Sequence, residues 1–221
     1  MSYHLASGTH AVLVGQDLVV LDIAGDAYFC HVGCAAQIDL AQRPSVQIAS
    51  ADLAKALIDA GLVTSAPVCG RRPFRRPPNR PSTDLWEIPP PSPMPGDRRR
   101  MCRAYADLLH RYAGRSLRQL VTTAQRRDDD GTALRSQEPS PELVRLSARF
   151  RQLLPWAPIQ GECLFRSFML LLFLRRSGLD ALWVFGVRTW PFEAHCWLQV
   201  GDVVLNDSAE HVLGYEPIFA A

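Results

Sequence analysis

Three residues in the second half of the chain carry side chains suited to covalent catalysis. They follow one another in the order cysteine, histidine, aspartate: Cys163, His195 and Asp207. A thiolate can attack a carbonyl carbon, an imidazole can accept and return a proton, and a carboxylate can orient the imidazole ring. The order and residue types therefore predict a nucleophile, a base and an orienting group. A buried structural cysteine near an unrelated histidine is the alternative.

The position of Cys163 favours the catalytic interpretation. A strongly apolar helix is predicted to begin at Cys163 and to stop at Gly178. A thiol in the first turn lies near unpaired backbone N–H groups and the positive end of the helix dipole, and both stabilise a thiolate. An oxyanion would meet the Cys163 N–H and one side-chain donor, for which Gln160 is the candidate. An ordinary loop residue is the alternative for Gln160.

The hairpin around His195 offers a test of the arrangement. Strands are predicted over residues 181–187, 194–200 and 203–206. A two-residue loop between the last two strands would place Asp207 opposite Cys196, whereas a three-residue loop would place it opposite His195. A catalytic set requires the second register or an equivalent bulge. By alternation, Cys196 lies on the other face from His195 and is expected to be buried packing.

The first 66 residues predict a separate small module. Strands are expected over residues 11–14, 18–23 and 27–31, followed by a helix over 50–61 capped by a serine. A two-residue hairpin loop would pair Leu21 with Tyr28 and Val19 with Cys30, and we expect these four side chains to form the core face. Three strands and helices in so short a segment suggest a winged-helix-like module.

A proline-rich stretch separates this module from the remainder. Ten of the 17 prolines fall between positions 67 and 95, together with several arginines. We therefore expect a module over residues 1–66, a Pro/Arg-rich linker over 67–96 and a second domain over 97–221, an α+β chain overall. Helices are predicted over 98–112, with Asp97 as the cap, over 117–125 and over 140–154, with a polar loop over 126–137. The linker arginines could contact nucleic acid, but a solvated linker is the stronger interpretation, so no nucleic-acid partner is expected.

The remaining composition excludes several classes. The formal charge is only +2, and no signal peptide or membrane-length apolar run is present, which favours a cytoplasmic protein with free thiols. Cys30, His31 and Cys34 resemble part of a metal site, but three ligands packed this closely make zinc improbable. Neither a metal nor a cofactor is expected.

The motifs around the three residues resemble a known family. The Cys163 helix, the strand end at Gly186-Val187, the 194–197 segment and the 204–207 segment are similar to a transglutaminase-type cysteine peptidase. More narrowly, they resemble the B protein of bacterial lasso-peptide biosynthesis. The resemblance implies that Cys163, His195 and Asp207 are the catalytic triad of a peptidase. Such a peptidase would remove the leader from a ribosomally made precursor and supply the core peptide to a macrolactam synthetase.

The N-terminal module also resembles part of this family. In some members the chain begins with a leader-recognition domain similar to the pyrroloquinoline-quinone D protein. The resemblance implies that the precursor's leader adds as a strand to the edge of the third strand, formed by Ala27, Tyr28, Phe29, Cys30 and His31.

Two other functions stay open. An amine instead of water could resolve the thioester, which would make the protein an acyltransferase. Alternatively, the chain could be a non-catalytic scaffold that presents a peptide to a partner enzyme, although the intact cysteine, histidine and aspartate disfavour this.

Overall fold

The computed structural model describes residues 2–66, 78–89, 91–92, 94–125, 132–159 and 161–221. The N-terminal module, residues 2–66, is made of short strands and one helix. Its elements are β1 (Ser2–Leu5), β2 (Thr9–Val14), β3 (Asp17–Asp22), β4 (Ala27–His31), β5 (Ile38–Asp39), β6 (Ser45–Ile48), α1 (Ala51–Asp59) and β7 (Val63–Thr64).

The three predicted strands of this module form an antiparallel sheet in the order β2-β3-β4. Leu21 pairs with Tyr28 and Val19 pairs with Cys30, as the two-residue hairpin loop requires. The β2–β3 turn holds Gly15 at φ 58°, a left-handed conformation in which a side chain would be strained. The predicted register of this sheet is confirmed.

A second sheet in the module, with the order β5-β6-β1-β7, is absent from the predicted elements. Its central pair joins distant parts of the chain, with Tyr3 opposite Val46. A long-range pairing between short strands leaves no local turn signal of the kind that marks a hairpin. The module therefore contains seven strands in two sheets, rather than three in one.

The two faces of the β2-β3-β4 sheet are buried against different partners. Ala11, Leu18 and Val20 lie in the module's own core, together with Leu53 and Leu57 of α1. The opposite face was expected to be the module's core, but its buried side chains join the core of the C-terminal half. These residues are Val12, Val19, Leu21 and Ile23, with Tyr28 packed beside them. Cys30, placed on the same face by the prediction, is exposed.

The C-terminal half contains a helical layer and one sheet. Its elements are β8 (Thr83–Asp84), α2 (Asp97–Tyr112), α3 (Leu117–Ala124), α4 (Thr132–Ser136), α5 (Pro141–Leu153), α6 (Cys163–Arg175), β9 (Leu182–Arg188), β10 (Glu193–Val200), β11 (Val203–Val204), α7 (Ala209–Leu213) and β12 (Glu216–Ala220). The sheet has the strand order β12-β9-β10-β11-β8. The mixed α/β class agrees with the prediction.

Two details of the helical layer differ from the prediction. Asp97 does not cap α2, which begins at Asp97 itself after Gly96. The Asp97 carboxylate is instead buried and pairs with Arg100 and Arg149, at 3.0 and 3.2 Å. The short helix α4 falls within the predicted polar loop, where the Leu134 carbonyl accepts a 2.6 Å hydrogen bond from the Gly201 N–H. Such a tertiary contact has no local signature in the sequence.

Part of the predicted linker is attached to the C-terminal sheet. Its first residues, 67–77, lie outside the described part of the chain. Strand β8 then pairs in parallel with β11, and Leu85 is buried in the same core as the C-terminal helices. Arg151 donates to the Leu85 carbonyl at 2.6 Å. The chain is therefore anchored again well before position 96, and the domain boundaries stay a prediction.

Helix α6 forms the centre of the C-terminal core. From Phe165 to Leu174 every residue except Arg166 is buried, so the helix is covered on all sides. An apolar helix of this kind belongs in the interior of a domain. It packs on the sheet through Phe168, whose ring lies 5.2 Å from that of Trp183. No helix in the described residues is long and apolar enough to cross a membrane.

The contact between the two halves can be tested through stability. We expect Leu21→Ala to lower the free energy of unfolding by about 2–5 kcal/mol, because a fully buried side chain is lost and a cavity remains. Leu109→Ala is the matched control, since Leu109 is exposed on α2 and its removal should change the free energy by about 0.5 kcal/mol or less. Urea unfolding measures both. Equal small losses would contradict the buried contact.

Candidate active site

Cys163 is the first residue of α6, as the sequence predicts. The chain enters the helix through Gly161, which has φ 56°. A Cβ at this position would lie 2.5 Å from the Phe165 side chain, so only glycine fits the approach. The entry places the thiol in the first helical turn, beside backbone N–H groups that have no partner within the helix.

His195 and Asp207 are in direct contact. The His195 Nε2 lies 2.6 Å from the Asp207 Oδ2, and both side chains are largely buried. Asp207 also accepts a hydrogen bond from the Ser208 N–H, at 2.8 Å. With Nε2 engaged by the carboxylate, the other ring nitrogen of His195 is the one available to Cys163.

Of the two routes expected to bring Asp207 to His195, the hairpin does not take the three-residue register. Val200 pairs with Val203, so the loop has two residues. In a continued ladder Asp207 would stand opposite Cys196. Strand pairing ends after Leu205, however. In place of a backbone carbonyl, the Asn206 side-chain oxygen accepts a 2.7 Å hydrogen bond from the Leu198 N–H. The chain then leaves the strand direction and brings Asp207 to His195, which has the effect of a bulge.

The early end of β11 also exposes a backbone donor. Leu198 directs its N–H and C=O toward the β11 side, and alternate residues of a strand point the same way. Cys196, two residues earlier, therefore directs its N–H to the same edge, where β11 has already ended. There the N–H interacts with the Cys163 sulfur.

Cys163 is surrounded by groups that favour its thiolate. The Cys196 side chain contributes most by hydrogen bonding to the sulfur, and His195 adds a hydrogen bond and its positive charge. These interactions outweigh burial, which acts in the opposite direction, and lower the pKa of Cys163 to about 4. At neutral pH the sulfur is therefore ionised.

Cys196 has more than the packing role expected for it. It is buried, as predicted, and burial keeps the pKa of its thiol well above the usual value, so it remains a donor. Its sulfur also lies 3.4 Å from the Ser167 Oγ. Ser167 is itself fixed, because it donates to the Cys163 carbonyl at 2.6 Å and accepts from the Trp183 indole at 2.8 Å.

His195 is the cationic partner of the thiolate. Burial by itself would lower its pKa, but the hydrogen bonds with Asp207 and Cys163 outweigh burial and raise the pKa to about 9. The pKa of Asp207 is lowered despite burial, through its hydrogen bonds with His195, Ser208 and His211. Between about pH 4 and pH 9 the three groups are thiolate, imidazolium and carboxylate.

Further aromatic residues surround the His195 ring. Trp197 is fully buried and lies stacked on the ring at 6.1 Å, so it serves both the core and the site. The Tyr215 ring lies 5.2 Å from the His195 ring, and the Tyr215 hydroxyl donates a 3.0 Å hydrogen bond to Glu193. The sequence gives no periodic signal for Tyr215, because it reaches the site from the turn after α7.

His211 is a site residue that sequence reasoning misses. Its Nδ1 lies 3.0 Å from the Asp207 Oδ2, and its ring lies 4.9 Å from that of His195. The spacing of four residues between Asp207 and His211 is the available signal, since the first turn of α7 brings such positions together.

His195, Asp207 and His211 also have the residue types of a metal site, with ligand atoms within 4.8 Å of one another. Tetrahedral ligands at zinc distances stand about 3.3 Å apart. The 2.6 Å between His195 Nε2 and Asp207 Oδ2 is shorter than that. As placed, the cluster is a hydrogen-bonded set. Near Cys30 and His31, the Cys34 thiol is buried and donates to the His31 carbonyl at 3.2 Å.

Of the two remaining groups of predicted site residues, the structure describes one. Gln160, the candidate oxyanion donor, lies outside the described residues. Ala27, Tyr28, Phe29, Cys30 and His31 form β4, which pairs with β3 along one edge. Among the described residues, no strand pairs with the other edge of β4.

Comparison with known proteins identifies the C-terminal domain. The model of the transglutaminase-like superfamily matches residues 102–220, more than half of the chain. The chain belongs to the transglutaminase-like superfamily. The residues that suggested this family, from the Cys163 helix to Asp207, all lie inside the match, and the predicted resemblance is confirmed at this level.

A second similarity concerns a protein that processes a peptide. The chain is 43% identical over 49 residues to the microcin J25-processing protein McjB of Escherichia coli. That stretch covers 22% of this chain and 24% of McjB, so the likeness spans about a quarter of the relative. No solved structure gives a significant match.

The ionisation state of the Cys163 thiol can be measured with iodoacetamide, which alkylates thiolates. We expect the alkylation rate of Cys163 to be half-maximal near pH 4, since its pKa is about 4. A short unstructured peptide with one cysteine, added to the same sample, should need a pH near the ordinary thiol value of about 8.5. Mass spectrometry of the cysteine-containing peptides measures both rates. Parallel pH profiles for Cys163 and this reference peptide would refute the thiolate.

Proposed function

We propose that the protein is a cysteine peptidase that removes the leader from a ribosomally made lasso precursor peptide. The observation that carries the proposal is the 2.6 Å contact of His195 with Asp207, together with Cys163 at the start of α6, whose thiol pKa is lowered by Cys196 and His195. The transglutaminase-like family and the similarity to a microcin-processing protein support the same chemistry.

In the proposed reaction the Cys163 sulfur attacks the carbonyl carbon of the scissile amide, and a C–S bond forms. The proton on His195 passes to the leaving nitrogen as the C–N bond breaks, which frees the amine of the core peptide and leaves a thioester on the leader. His195, now neutral, takes a proton from water, and the hydroxide oxygen replaces the sulfur. Asp207 keeps the ring oriented throughout.

The oxyanion of the tetrahedral intermediate needs donors beside the sulfur. The Cys163 N–H at the start of α6 is one, because the residue before it, Glu162, makes no side-chain cap. Gln160 is retained as the second proposed donor on sequence grounds. The mechanism requires no cofactor.

Substrate recognition is assigned to the N-terminal module, which we propose is the winged-helix-like leader-recognition domain. Within the described residues, the outer edge of β4 pairs with no strand, and its backbone groups are of the kind that an added peptide strand bonds to. The proposed partners are the leader region of the precursor and a macrolactam synthetase that receives the freed amine. The proposed location is the bacterial cytoplasm, where the precursor is synthesised.

An acyl transfer to an amine is the second candidate, because the family is described as transglutaminase-like. The two reactions share the thioester and differ only in the acceptor. A scaffold without catalysis is disfavoured, since an ionised thiol in contact with an imidazolium is costly to maintain without use.

The proposal is tested with Cys163→Ala and a lasso precursor peptide that carries its leader. We expect cleavage to fall by at least about a thousandfold, because the nucleophile is lost, while leader binding keeps its Kd. Cys102→Ala, at an exposed cysteine, is the matched control and should cleave normally. Product masses separate the candidates: two fragments indicate hydrolysis, one adduct indicates transfer, and unchanged cleavage by Cys163→Ala would contradict both.

A further inference from the structure

The loop between β9 and β10 connects the two halves of the molecule. This loop, residues 189–192, ends one residue before β10 begins, and His195 is the third residue of β10. Whatever fixes the loop therefore also fixes the start of the strand that carries His195. The loop's contacts come from the N-terminal module.

Asp17, the first residue of β3, makes the polar contact. Its Oδ2 accepts a 2.8 Å hydrogen bond from the Trp190 indole, and its Oδ1 accepts a 2.9 Å hydrogen bond from the Gly33 N–H. The Asp17 carboxylate is 4% exposed, so both oxygens are committed inside the fold. The pKa of Asp17 is lowered, mainly by the hydrogen bond from Gly33.

The loop has the backbone of a segment held by its surroundings. Trp190 has φ 60°, a left-handed conformation that is unfavourable for a bulky residue. Such a residue persists only where neighbouring contacts fix it. Trp190 is 73% exposed, so burial contributes little, and the hydrogen bond to Asp17 is one of the contacts that hold it.

Tyr28 of β4 makes the second contact. Its ring lies 6.0 Å from that of Phe192, on the sheet face that is buried against the C-terminal core. Burial raises the pKa of Tyr28, and the negative charge of the Cys163 thiolate adds to the rise, which is consistent with a position near the thiol.

We propose that Asp17 and Tyr28 are positioning residues for His195, so that the N-terminal module forms part of the active site as well as the proposed leader-binding surface. The proposal rests on the proposed function. The linker is then not the only connection between the leader-binding module and the second domain, because the module also contacts the hairpin that carries the proposed base, His195. Neither residue is assigned a chemical step.

The test uses iodoacetamide and the full chain without any peptide, so loss of leader binding cannot affect the result. Trp190→Phe keeps an aromatic ring at this position and removes the indole N–H donor. We expect the pH at which Cys163 alkylation is half-maximal to rise by about 0.5 to 1 unit, as a less well-placed His195 stabilises the thiolate less. Tyr28→Leu should raise it in the same direction.

Trp156→Phe is the matched control, since Trp156 is 85% exposed and distant in sequence from the hairpin. Its profile should coincide with that of the unmodified protein. Asp17→Ala, which removes both acceptor oxygens, should also raise the midpoint. The double variant with Trp190→Phe should shift no further than the larger single shift, because both changes break the same contact between Asp17 and Trp190. Additive shifts would show that Asp17 acts otherwise.

The outcomes separate the two proposals. If Cys163 of the unmodified protein titrates like the cysteine of an unstructured reference peptide, the proposed function fails. If Cys163 has its low midpoint but Trp190→Phe and Tyr28→Leu leave that midpoint unchanged, the positioning role alone is overturned. Thermal unfolding of each variant shows whether it is folded, and the exposed Trp190 site decides the question if Tyr28→Leu or Asp17→Ala does not fold.

Discussion

The site depends on one electrostatic contact, between the sulfur of Cys163 and the ring of His195. Each group favours the charge of the other: the thiolate adds to the rise in the pKa of the imidazole, and the imidazolium adds to the fall in that of the thiol. Burial opposes both charges, so the pair survives only with further hydrogen bonds. Cys196 supplies them to the sulfur and Asp207 supplies one to the ring.

Three separate parts of the fold maintain this contact. Helix α6 is buried on all sides, which fixes the position of Cys163 relative to the sheet. The early end of β11 frees the Cys196 N–H and turns Asp207 toward His195. The N-terminal sheet completes the core from the other side through Val19 and Leu21. The sheet that contains β4 therefore belongs to the same core as the residues that pack around the Cys163 thiol.

Local signals explain what the sequence predicts well. The helix starting at Cys163, the serine cap of α1 and the β3–β4 register all follow from neighbouring residues, and each is found in the structure. The β1–β6 pairing and the second partner of the β2-β3-β4 sheet are missed because they depend on contacts over long sequence distance. The Asn206 side chain that replaces a strand partner is closer in sequence, but a side chain that takes the place of a backbone group has no periodic signal. Periodicity alone could not assign them.

The protonation state of His195 tests the central claim most directly. Nitrogen-15 NMR of the histidine rings, with His195 assigned by its loss in His195→Gln, reports whether both ring nitrogens carry protons. With a pKa of about 9, His195 should be an imidazolium at pH 7, and its titration midpoint should fall after Cys163 is alkylated, because the contribution of the thiolate is lost. A neutral His195 at pH 7 in the unmodified protein, with a titration midpoint near the ordinary value of about 6.5, would contradict the ion pair.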